Sequence, residues 1–205
     1  MSKIDYTTVV TSEARFSFGK LFEPVKTQGG YERYELTLLF PHPDDLSGDE
    51  LKAYEDSMQK LQDLAKNAAQ LEWGDKIPQH RSPFIDQERF VDPSRPQYKA
   101  GAVMLRLNTT KRPGVVDHNL DPIEDPSLVY DGAHGKAAVF AKAYDFKDDN
   151  GMRSRGVKFV LQSVQKTRDG DKIGGGTGKH SAADHFAPLD KKKVGDGKGA
   201  GGLFD

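Results

Sequence analysis

Segments of period two on either side of one helical segment, a length suited to a single domain, and a glycine-rich end together predict the fold class. It is a mainly β fold with one long helix: a five-stranded OB-like barrel with extended loops and a flexible Gly/Lys-rich C-terminal tail. At 205 residues the chain can bury one real core. The expected division is a barrel domain over residues 1–175 and a tail over 176–205.

Residues 13–22 alternate, with Ala14, Phe16 and Phe18 on one face and Arg15 and Ser17 on the other, which reads as a half-buried strand. Pro24 and Gly29-Gly30 punctuate a loop. Residues 31–40 form a second strand, with Tyr34, Leu36, Leu38 and Phe40 inward and Tyr31, Arg33, Glu35 and Thr37 outward. The period then changes. Leu51, Tyr54, Met58, Leu61, Ala65, Ala68 and Leu71 recur at steps of three and four and mark one face of an amphipathic helix. Ser47 and Glu50 have capping-box spacing, and Gly74 supplies a stop.

Residues 75–98 are polar, hold four prolines and keep no period, so they read as a long ordered excursion or flap. Residues 101–108 return to strand, with Val103, Leu105 and Leu107 inward and Met104 and Arg106 outward. A turn and a short strand follow at 113–117. Residues 136–146 and 153–166 are two long strands joined through Asn150-Gly151, a hairpin signal. After Gly170 the glycine-rich composition cannot pack a core.

The strand 136–146 has two unlike faces. Ala137, Val139, Ala141 and Ala143 are small and apolar, suited to a barrel interior. Lys136, Phe140, Lys142, Tyr144 and Phe146 alternate rings with cations. Single-stranded nucleic acid is recognised by that mixture, since rings stack on bases and cations neutralise phosphate. The alternative is that the ring-bearing face lies under the helix and the alanines lie outside. The partner strand adds Arg153, Arg155 and Lys158; Arg15 and Arg106 stand outward elsewhere, and Lys111-Arg112 sit at a loop. These twelve residues form the candidate ssDNA-binding set, and their convergence on one surface is a matter for the fold.

The net charge is −1, but it is unevenly spread: acids dominate 41–70 and cations dominate 136–170. Cysteine is absent, which excludes disulfides, thiolate metal sites and a thiol nucleophile. The start of the chain has no apolar h-region and no apolar run approaches a membrane span, so a cytoplasmic protein without membrane attachment is expected.

The enzyme motifs fail on spacing. In GGGTGKHS, Ile173 stands where a P-loop needs its first Gly, and His180 follows Lys179 where Ser or Thr is required. The histidines are scattered, and no calcium-loop pattern or Gly-x-Ser-x-Gly elbow occurs. Neither catalytic residues nor a metal or cofactor are expected.

An ordered set of segments carries a resemblance. Ala14-Arg15-Phe16-Ser17-Phe18, Leu21-Phe22-Glu23-Pro24, Gly30-Tyr31, Leu38-Leu39-Phe40-Pro41 and the helix ending Trp73-Gly74 come first. Arg112-Pro113-Gly114-Val115-Val116-Asp117, Val129-Tyr130-Asp131-Gly132, Gly156-Val157-Lys158-Phe159, Val164-Gln165-Lys166, Asp169-Gly170 and Ile173-Gly174-Gly175 follow in order. Over about residues 12–176 the chain resembles a family of bacteriophage single-stranded-DNA-binding proteins. The resemblance implies an OB-fold that coats single-stranded DNA in phage replication or recombination, in the host cytoplasm, with no catalytic residues to carry over. Many proteins of that functional class end in an acidic tail; here Lys191-Lys192-Lys193 and Lys198 make the tail slightly basic. Leu203, Phe204 and Asp205 remain as an aromatic-plus-carboxylate end that replication or recombination proteins could take. An exposed barrel edge makes a homodimer a further expectation. The rival function is a protein–protein interaction module of the same fold, with the acidic helix as its contact surface.

Overall fold

The computed structural model describes residues 7–27, 29–147 and 151–173. Eight strands and one α-helix run in the order β1 (Val9–Val10), β2 (Ala14–Lys26), β3 (Glu32–Leu39), α1 (Gly48–Trp73), β4 (Phe84–Asp86), β5 (Val103–Thr109), β6 (Gly114–Val116), β7 (His134–Lys147) and β8 (Arg153–Arg168). β2, β3, β5, β8 and β7 pair in a closed ring. The five-stranded expectation holds, although the ring is uneven. The β7–β8 ladder runs from His134↔Arg168 to Lys147↔Arg153, whereas β2 meets β7 only at Ala14↔Gly135 and Arg15↔His134. β5 and β8 run parallel and meet at Asn108↔Val160.

Phe16, Leu36, Leu38, Leu105, Leu107, Val139, Phe159 and Leu161 fill the ring, and Leu61 of α1 belongs to the same buried cluster. The small face of β7 is what admits so many large neighbours: Ala137, Val139, Ala141 and Ala143 are all buried in this core. They point inward, so the alternative in which the alanines lie outside is excluded. Gly135 shows how tight the packing is. A Cβ there would fall 2.3 Å from Phe16 Cζ and 2.2 Å from the Gln165 carbonyl oxygen.

α1 begins at the expected position, but the Ser47 hydroxyl makes no capping bond. The stop is as expected, with Gly74 N–H donating to the Gln70 carbonyl at 2.8 Å. Its buried stripe is Tyr54, Ser57, Met58, Leu61, Leu64, Ala65, Ala68 and Ala69. Leu71 is 78% exposed, contrary to expectation. At 100° per residue it stands roughly 90° from the centre of that stripe, on the solvent side.

Phe18 also departs from expectation. The β2–β3 register shifts between Ser17 and Lys20, Phe18 takes φ +50°, and its ring is 63% exposed. This bulge interrupts the alternation, and Leu21 resumes the inward face.

The excursion 75–98 is pinned against the ring. β4 pairs with β5, and the Gln87 amide donates to the Phe40 and Val103 carbonyls at 2.9 and 2.8 Å. Met104, expected outward, does leave the main core, yet Tyr98 buries it with Leu39 in a second cluster. Among the described residues no helix is long and apolar enough to cross a membrane.

Candidate nucleic-acid interface

The candidate interface is built on the β7–β8 ladder. Because Ala137 through Ala143 face the core, Lys136, Phe140, Lys142, Tyr144 and Phe146 share the outer face of β7, with Phe146 55% exposed. Phe140 stands opposite Val160, Lys142 opposite Lys158 and Tyr144 opposite Gly156. The last pairing has a steric reason. A Cβ on Gly156 would come within 2.4 Å of Tyr144 Oη and 2.5 Å of Cζ, so the ring lies across the bare backbone of β8. Phe146 sits beside it, with ring centroids 5.9 Å apart and planes inclined by 34°. Two adjacent rings at the outer end of the ladder are a candidate stacking platform.

Beside the rings the field is positive. Burial pushes the Lys158 ammonium below the ordinary lysine range, and the neighbouring charges of Lys142 and Arg33 push it the same way. Cations from three strands therefore converge. Among the described residues no carboxylate forms an ion pair with Lys142 or Lys158, while Arg33 is paired with Glu35. A cluster of like charges that disfavours its own protonated state gains from an incoming anion.

The structure does not bring all twelve candidates together. Phe140, Lys142, Tyr144, Phe146 and Lys158 converge. Lys136 shares the face but stands eight residues from Tyr144, roughly 27 Å along the strand. Arg153 and Arg155 alternate onto the opposite side, with Val157, and hold Asp145 there. Arg153 Nε and Nη2 donate to its two oxygens at 2.7 and 2.8 Å, and Arg155 Nε donates at 3.0 Å. The Arg153 guanidinium, with Arg155 beside it, keeps the Asp145 carboxyl well below the usual range. Arg15 is at the far end of the ladder opposite His134, its guanidinium donating to the Asp171 carbonyl. Arg106 lies over the Phe90 ring at 5.5 Å and Arg112 over Phe22 at 5.9 Å. Lys111 follows β5, its N–H donating to Thr109 Oγ1 at 3.3 Å. Leu203, Phe204 and Asp205 lie outside the described residues.

Three residues absent from the candidate set are well placed. Arg33 joins the lysine pair, Tyr31 is 75% exposed at the β2–β3 turn, and Met152 is 71% exposed beside the β7–β8 turn. Loops in these two positions, after the first and fourth ring strands, are the ones with which OB barrels meet oligonucleotides. Arg33 and Tyr31 do stand outward in the β3 alternation. The nearness of Arg33 to Lys158 on β8 follows from ring closure, which no local pattern encodes.

Comparison with solved structures finds the single-stranded DNA-binding protein from bacteriophage Enc34 in complex with ssDNA at 19% identity and a TM-score of 0.59. That match covers 82% of this chain and 89% of the other. A C-terminal truncation of the same phage protein matches at 20% identity and a TM-score of 0.58, over 81% and 88%. The gp2.5 single-stranded DNA-binding protein encoded by bacteriophage T7 matches at 16% and 0.52, over 84% and 92%. At these identities the likeness concerns the fold. Among curated proteins no sequence matches. The family model described as Enterobacter phage Enc34, ssDNA-binding protein, matches residues 7–196, and the chain belongs to that family.

Proposed function

We infer that this protein binds single-stranded DNA independently of sequence, coating and protecting it in phage DNA replication or recombination. The observation that carries the reading is the outer face of β7–β8, where Tyr144 and Phe146 stack side by side next to Lys142 and Lys158. Rings of this kind contribute roughly 1–3 kcal/mol per stacked base and accept any base. Family membership and the Enc34 relative solved with ssDNA support the same reading.

The protein acts by holding the strand and catalyses no reaction on it, which accords with the failure of every enzyme motif on spacing. The setting is the host cytoplasm. Leu203, Phe204 and Asp205 are the proposed anchor for replication or recombination proteins, and a homodimer is the proposed assembly.

Fluorescence anisotropy with labelled oligo-dT at two salt concentrations tests the binding. Neutralising two phosphates, one each for Lys142 and Lys158, with Arg33 held by Glu35, predicts a log–log salt slope of about −1.4 on a single strand. Duplex of the same length should bind more weakly. Absence of oligo-dT binding at physiological salt would overturn the reading.

A further inference from the structure

Beside the stacking platform lies a pocket of 260 Å³, lined by Gln79, His80, Arg81, Arg153, Ser154 and Arg155. We propose that this pocket is a phosphate site, holding one backbone phosphate of the strand whose base stacks on Tyr144. The proposal rests on the ssDNA-binding reading and adds to it where the backbone of that nucleotide goes.

Position is the first argument. Arg81 is laid onto the edge of β8 as a parallel bridge to Gly156: its N–H donates to the Arg155 carbonyl at 3.0 Å, and its carbonyl accepts from Val157 N–H at 3.1 Å. Gly156 is the residue over which the Tyr144 ring lies. One strand spacing, about 4.8 Å, therefore separates the Arg81 backbone from the floor of the stack.

Charge and rigidity are the second. Three guanidinium groups border the pocket, and among the described residues Asp145, held by Arg153 and Arg155, is the carboxylate paired with them, which leaves two positive charges in excess there. Asp145 takes two donors from Arg153 and one from Arg155, so both guanidiniums are fixed while most of their five N–H groups remain to point elsewhere. His80 is held at the wall by the Trp73 ring, 5.1 Å away, and by its Nδ1 contact with the Pro78 carbonyl at 2.9 Å. Planar forks held in place by a carboxylate suit a tetrahedral oxyanion.

This placement gives Arg153 and Arg155 a role that the ring-bearing face does not. They face away from the rings, yet they border the edge at which a strand leaving Tyr144 would turn.

The test uses the full-length chain and labelled oligo-dT. Arg81→Ala keeps the backbone bridge and removes the fork. It should weaken binding several-fold and reduce the salt slope by about 0.7–1. Arg81→Lys should restore much of the slope. A scan of the shortest oligo-dT that still binds at full affinity, carrying a single neutral methylphosphonate linkage, should then find one linkage whose neutralisation weakens the wild type but not Arg81→Ala. Unchanged affinity in Arg81→Ala, or a loss that no single linkage suppresses, would overturn the phosphate site. Tyr144→Ala separates the two readings. If it loses affinity while Arg81→Ala does not, the platform stands without the pocket; if Tyr144→Ala binds normally, the platform and the pocket proposal fall together.

Discussion

Replacing Gly156 with alanine is the sharpest probe of the stacking platform, because it touches the ring without deleting it. The added Cβ would sit 2.4 Å from Tyr144 Oη, 2.5 Å from Cζ and 2.8 Å from Cε1, so the ring must swing off β8. Removing the ring altogether, in Tyr144→Ala, should cost the roughly 1–3 kcal/mol of one stacked base, or about 5- to 150-fold in Kd. Gly156→Ala should lose most of that amount with Tyr144 still present. The double variant should bind no more weakly than Tyr144→Ala alone, since both changes remove the same stack. Thermal stability should move little: filling a strand glycine contributes up to about 1 kcal/mol, and the displaced ring gives up contact that opposes it. Oligo-dT anisotropy and a melting curve on each of the four proteins decide the matter. Wild-type affinity in Gly156→Ala, alongside a loss in Tyr144→Ala, would refute the idea that the ring works from its place across β8.

Three further expectations concern the scaffold. Leu61→Ala empties the point where α1 meets the ring core and should lower unfolding free energy by about 2–5 kcal/mol in a urea titration, with the m-value unchanged. Gly135→Ala drives a methyl into the Gln165 carbonyl and the Phe16 ring, and should cost about 1–3 kcal/mol, read as a lowered midpoint in the same urea titration. His134 is pushed below its ordinary value of 6.5 by burial and next by the Arg168 charge, with Glu13 opposing. Its folded state therefore favours the neutral ring: stability is full above the unfolded value and falls as pH drops through the lower folded one. Melting temperature should decline as pH falls below the ordinary histidine value of 6.5, and His134→Gln should flatten that slope.

Much of this fold can be read from periodicity. The alternation of Ala137, Val139, Ala141 and Ala143 against Phe140, Lys142, Tyr144 and Phe146 is a local property of one strand, and burial sorts the two faces as written. The helix stripe is local as well, although its edge at Leu71 depends on where the ring surface curves away. Phe18 was illegible because a bulge breaks the very period that would place it. Arg153 and Arg155 could be assigned to a strand but not to the ring face, and it is Val157 in the core that turns them to the other side.

The sequence alone determined the kinds of groups available for binding: rings alternating with cations on one strand, and small residues behind them, because side-chain alternation is a property of the strand itself. Only the tertiary structure decided which of those groups come together. Ring closure brings Arg33 near Lys158, the β7–β8 register lays Tyr144 over Gly156, and the pinned excursion sets Arg81 beside Arg155. The fold also leaves Arg15, Arg106 and Arg112 elsewhere, since each contact between strands distant in sequence depends on register and closure rather than on any local pattern.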